Sequence, residues 1–225
     1  MMNFYITAFL TVMTAALYWL YRRDALKVQN GRANIFNDCT DLLSETAKKQ
    51  MGAGYPRLQG KCAGYQVNLE VIEDTLAVRK VPPLWLTVTV MGNAPSYGSL
   101  DIIVRPQNTE FYSPSWHWDG NLQIPPGWPQ HAIVKYQYAV APLNILNDFV
   151  PKLFTDEKVK ELLVTPTMVR ITYLAKQAER GEYMLMRNAL FDDSPINKAE
   201  VEAMLNYAIE IRQGLESCPD IKKVH

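Results

Sequence analysis

The residues of this 225-residue chain that most invite a chemical reading are Gly54 to Cys62, GYPRLQGKC. A phosphate-cradling loop needs two glycines at fixed separation, a lysine for the phosphates and a hydroxyl for magnesium. Here the glycines stand one residue too far apart and Cys62 occupies the hydroxyl position. A strand is expected to follow rather than a helix, so Gly54 and Gly60 are read as turn residues. The three histidines, His117, His131 and His225, have no second ligand at helical or knuckle spacing. No nucleophile-elbow or papain-like signature is present, although a triad assembles in space rather than in sequence. Glu73-Asp74 and Asp192-Asp193 flank expected strand and helix starts, where carboxylates solvate turns and caps. The residues therefore name no catalytic group, metal ligand or cofactor, and the balance leans against an enzyme.

The stretch richest in recognition chemistry is Phe111 to His131, FYSPSWHWDGNLQIPPGWPQH. It sets Phe111, Tyr112, Trp116, Trp118 and Trp128 among Pro114, Pro125, Pro126 and Pro129. Proline stiffens the chain, so these aromatics lose little entropy on contact with a partner. Tryptophan and tyrosine dominate binding hot spots and also suit a lipid headgroup boundary. The stretch is thus a partner-docking loop, a flap resting on a membrane, or a loop that roofs its own core. His117 and Asp119 flank Trp118 as polar handles for a ligand or as solvated loop residues. Arg79, Lys80 and Arg105, at strand ends near prolines, face anionic lipid, pair with carboxylates, or serve as solvated edges that block sheet aggregation.

Several elements must hold these residues. Ile35, Phe36, Cys39, Leu42, Leu43, Ala47 and Met51 recur at three- and four-residue spacing, which predicts a helix from about Ala33 to Met51. Strands are predicted at Arg57–Cys62 and Tyr65–Ile72, joined by Ala63-Gly64. Two more lie within Thr75–Val90, broken by Pro82-Pro83, and others at Leu100–Val104 and Ala132–Val140. A short helix is predicted at Thr155–Val164, and a hairpin from Met168–Ala175 to Tyr183–Arg187. A closing helix spans Pro195–Glu216, capped by Ser194.

Phe4 to Tyr21, FYITAFLTVMTAALYWLY, carries no charge. At about 1.5 Å per residue its length just matches a bilayer core of about 30 Å. Tyr18, Trp19, Tyr21, Arg22 and Arg23 stand where membrane-interface residues belong, and the basic residues after the run place the remainder in the cytoplasm. The scattered Cys39, Cys62 and Cys218 agree with a reducing compartment. Charge is balanced at 23 basic and 23 acidic residues, so no field favours nucleic acid as a partner. The expected fold is α+β: an N-terminal transmembrane helix, then a mainly antiparallel sheet with a helix near each end and a short central helix. The expected segments are an anchor at 1–23, a connector at 24–34, a soluble domain at 35–218 and a polar tail at 219–225. Lys222-Lys223 in that tail is read as coincidental to a dilysine retrieval signal.

DTLAVRKVPPLWLTVTV (Asp74–Val90), PPGWPQH (Pro125–His131) and ERGEYMLMRNA (Glu179–Ala189) resemble a group of uncharacterised single-span proteins of alphaproteobacteria. That resemblance implies a bacterial inner-membrane setting and carries over no site residues. The expectation is a membrane-anchored, single-pass, non-enzymatic accessory or assembly subunit of a larger bacterial membrane complex. It would meet membrane lipid and another membrane protein or complex through its span and the aromatic loop. The alternative is a membrane-tethered enzymatic or small-molecule-binding domain with a pocket under the same loop.

Overall fold

A computed structural model describes residues 2–76, 79–93, 98–107, 110–118 and 120–217. Asp119, Cys218, His225 and the tail 219–225 lie outside them. The chain opens with α1 (Met2–Ala33), a single helix of 32 residues, about 48 Å long. It runs without a break through the segment expected to be a polar connector. Among the described residues no helix is long and apolar enough to cross a membrane. This overturns the expected transmembrane helix and, with it, the single-pass inner-membrane placement. The apolar run is diluted by Thr7, Thr11, Thr14, Tyr18, Trp19 and Tyr21, and Arg22 and Arg23 follow at once. Two of the threonines bond back to the preceding turn, Thr11 Oγ1 to the Thr7 carbonyl and Thr14 Oγ1 to that of Leu10, both at 2.8 Å.

The base of α1 is fastened to the domain. Arg32 pairs with Glu73 at 2.9 Å, donates to the Ala53 carbonyl at 3.1 Å, and lies over the Tyr55 ring. The segment after it corrects the expected helix over Ala33–Met51. Ile35, Phe36, Cys39 and Leu43 are buried, but Cys39 sits on a short 3-10 helix at Asn37–Leu42 and the others flank it. The polar SETAKK that follows is β1 (Ser44–Lys49), fully exposed at the sheet edge. Pairing with the next strand satisfies its backbone and overrides its helix-forming composition, while Lys48 and Lys49 guard the edge.

The remaining elements are β2 (Arg57–Cys62), β3 (Tyr65–Glu73), β4 (Pro83–Met91), β5 (Ser99–Val104), β6 (Gly120–Asn121), β7 (Ala132–Gln137), α2 (Leu143–Leu153), β8 (Val159–Val164), β9 (Met168–Gln177), α3 (Arg180–Met186) and α4 (Lys198–Ser217). Among the described residues nine strands make one sheet, ordered β1-β2-β3-β4-β9-β8-β5-β7-β6, with antiparallel pairing throughout. Val159–Val164 is therefore a strand where a helix was expected. Every residue of it is buried, so a half-exposed helical stripe has no place there. Tyr183–Arg187 belongs to α3 rather than to a second hairpin strand, and α3 ends where Arg187 adopts a left-handed conformation at φ 54°. The last helix begins three residues later than expected. Asn197 Oδ1 accepts from the Ala199 N–H at 2.9 Å, whereas Ser194 bonds Asp192 and Lys176.

The sheet has two unlike faces. On one, Leu84, Leu86, Val88 and Val90 of β4 join Ile171 and Tyr173 of β9 beneath α2 and α4. Alternation sends Trp85, Thr87, Thr89, Arg170 and Thr172 to the other face. Arg212 of α4 closes one end of the apolar face with no exposed surface. It bonds Glu216 at 2.8 Å and the carbonyls of Thr165 and Pro166 at 3.3 and 2.9 Å. Arg212→Ala leaves both carbonyls without this donor and opens a cavity. It is expected to lower stability by about 2–4 kcal/mol, read by urea denaturation; a loss under about 0.5 kcal/mol, the level of an ordinary surface substitution, would contradict this role.

Candidate functional site

The aromatic-proline stretch divides over both sheet faces. Trp128 is only 2% exposed, belongs to the core under α2, and donates its Nε1–H to Asn147 Oδ1 at 2.9 Å. Residues 110–118 instead roof the opposite face. A 3-10 turn at Pro114–His117 is capped by Ser113, whose Oγ accepts from the Ser115 N–H. Trp118 is buried, and the Tyr112 ring packs between Trp85 and Phe111, with centroids at 6.1 and 5.7 Å. Of the five aromatics, Phe111 and Trp116 keep substantial exposure, at 53% and 43%. Trp116 is still tethered, its Nε1–H donating to the Glu110 carbonyl at 2.6 Å. His117 is exposed and lines a cleft of about 480 Å³ with Trp118 and Tyr136. His131 is exposed elsewhere. On α1, Tyr18, Trp19 and Tyr21 are exposed, and the Arg23 guanidinium lies 5.6 Å from the Trp19 ring centroid.

Beneath the roof lies a polar cluster that the strand patterns did not announce. Glu161 of β8 is fully buried. Arg170 Nη2 donates to both its oxygens at 3.0 and 3.1 Å, and the Thr172 hydroxyl donates to Oε2. The same Nη2 donates to the Tyr112 carbonyl at 3.1 Å, tying the roof to the sheet. Lys160 pairs with buried Glu110 at 2.9 Å and donates to the carbonyls of Val104 and Arg105. Burial lowers the Lys160 pKa despite that partner. Arg79 and Asp74, read from sequence as strand-end and turn charges, are both buried and pair at 2.6 Å, with the Trp85 Nε1–H donating to Asp74. Arg105 donates to the carbonyls of Glu157 and Val159. These charges neutralise one another, so the cluster is built to hold a structure rather than to exchange protons with a substrate.

Asp101 of β5 stands apart. It is 1% exposed and accepts a hydrogen bond from the Ser113 hydroxyl, while its Oδ1 has no partner. Tyr112 Oη and Arg170 Nε in the same cluster are also unpartnered. Lys135, opposite Asp101 on β7, gives its ammonium to the Ser115 carbonyl at 3.2 Å. Burial first and then the neighbouring Glu161 charge push the Asp101 carboxyl up to about 7. A charged residue inside the apolar run LDIIV was the signal available in sequence, since a charge there must find a buried partner.

The architecture is a single antiparallel sheet, helices on one face and a polar-latched loop on the other. No protein-family model and no curated protein sequence matches the chain. Among solved structures it is similar to the mycobacterial trehalose monomycolate transport factor A, TtfA, at 9% identity and a TM-score of 0.42. The likeness covers 81% of this chain and 80% of that one, and is too loose to carry fold or function between them.

A buried acid with a raised pKa gives a defined pH dependence. The unfolded carboxyl titrates near 3.9, so the stability from neutral Asp101 is fully present below about pH 4. It is lost as pH rises through about 7. Asp101→Asn removes this titration. The stability difference between the variant and wild type is expected to shift in the variant's favour by about 2–4 kcal/mol between pH 4 and 8, read by denaturant melts at each pH. A difference independent of pH would show that Asp101 ionises normally.

Proposed function

We propose that this protein is a non-enzymatic accessory subunit that docks on a membrane protein or complex through the free part of α1. The observation that carries the reading is the surface of that helix. Tyr5, Ile6, Phe9, Val12, Leu17 and Trp19 are each more than half exposed, spread over about half of the helix circumference, with Thr7, Thr11 and Thr14 on the opposite side. Monomers seldom expose apolar patches beyond a few hundred Å². The apolar surface continues toward the domain. Leu26 and Val28 are exposed on α1, and Leu190 shares a cleft of about 460 Å³ with Val28 and Lys27. Met184, Leu185 and Met186 of α3 lie exposed just ahead of it in the chain. Phe111 and Trp116 add a second aromatic contact on the roof. The buried charges, paired internally, support a binding role over a catalytic one.

The test is Phe9→Asp/Leu17→Asp, with the tagged protein purified in mild detergent from its own cells and its mass measured by native mass spectrometry. Both sites are exposed, so fold stability is expected to change by less than about 0.5 kcal/mol. The wild type should run in a stoichiometric assembly with a distinct second protein, and the variant alone. A wild type that is monomeric, or an assembly that survives the double substitution, overturns the reading.

A further inference from the structure

A cleft of about 610 Å³ opens where the start of β4 meets the end of β9, within the roughly 300–1,000 Å³ typical of small-ligand sites. One wall is apolar, formed by Pro83, Trp85 and Leu174; the other carries Arg79, Lys80 and Gln107. Among the described residues no carboxylate lines it. Asp74, behind Arg79 and fully buried, already balances the guanidinium. Lys80 is exposed and has no carboxylate partner among the described residues, so the lining holds one uncompensated positive charge.

The hydrogen-bonding capacity has the same polarity. Arg79 is committed to the protein, its Nε donating to Asp74 Oδ2 at 2.9 Å and its Nη2 pairing with the same oxygen at 2.6 Å. Gln107 gives its Oε1 to Arg79 Nη1, which leaves its amide nitrogen as a donor. Donors and a single net positive charge at one end, facing an apolar wall, suit an acceptor-only anionic head on an apolar body.

We propose that this cleft binds a small amphiphilic monoanion, a carboxylate carried on an apolar chain. The head group is held by the Lys80 ammonium and the Gln107 amide, which Arg79 orients, and the chain lies against Pro83, Trp85 and Leu174. This site is independent of the docking surface on α1, and neither reading depends on the other.

The test titrates the full-length protein with sodium octanoate, using calorimetry and the NMR shift of the Trp85 indole N–H. Acetate and octanol serve as the head-only and tail-only probes. Octanoate is expected to saturate below about 10 mM and to move the Trp85 signal, with acetate and octanol each at least tenfold weaker. Lys80→Gln, at an exposed position, should weaken octanoate about tenfold, and Leu174→Trp, which fills the cleft, should abolish binding. The proposal is overturned if octanoate fails to saturate, if octanol binds as well, or if both folded variants bind like wild type.

Discussion

Glu161 has no exposed surface and sits near the middle of a nine-stranded sheet. A carboxylate in that position is tolerated only with a counter-charge and its lone pairs satisfied. Arg170 and Thr172 supply both from the adjacent strand, Thr172 standing directly opposite in the register. A slip of one residue would turn Glu161 toward the apolar face under α4 and send Leu162 to the polar one. The carboxylate thus fixes the β8–β9 register. The irregularity between Val159 and Glu161 accommodates Lys160, which reaches the roof through Glu110.

The roof follows from the same requirement. Apolar packing against α2 and α4 is non-directional and tolerates exchange of similar side chains. The opposite face carries charge, so whatever covers it must bring matching donors and acceptors. Residues 105–107 and 110–118 do so mainly through their backbone: carbonyls of Arg105, Tyr112 and Ser115 accept bonds from side chains of the sheet. A loop held in this way has one seating. Its aromatics are consequently divided, Trp118 and the Tyr112 ring committed inward while Phe111 and Trp116 remain on the rim.

The sequence was legible where a local pattern met a local need. In β3, Val67, Leu69 and Val71 alternate with polar neighbours and are buried as that alternation requires. The β2–β3 turn at Ala63-Gly64 takes positive φ at both residues, as a tight hairpin demands. Central strands were harder. VKELLV of β8 is buried at every position, with Glu161 neutralised from the neighbouring strand and Lys160 by a loop distant in sequence. No window of a few residues contains that information. Asp74 and Arg79 lie close in sequence and were read as turn and strand-end charges, because nothing local shows that they are buried together. SETAKK failed differently, because an edge strand takes its conformation from its neighbour rather than from its own composition.

Two inversions then define the molecule: charges are buried inside the sheet domain, and an apolar helix is left outside it. The first has an internal cause, since register and roof depend on it. The second has none. α4 offers the comparison, a helix of 20 residues whose Val201, Leu205, Ala208 and Ile211 are buried while Glu202, Asn206 and Glu210 face outward. Residues 5–21 of α1 show no division into buried and outward faces; every one is exposed and none takes part in the core. Folding supplies no reason for that composition, because the domain would lose no buried contact if those residues were polar. What does hold α1 in place is polar and at its base, through Arg32, Glu73 and Tyr55. A helix fastened at one end by charge, with its apolar residues left outside the core, is oriented by the domain.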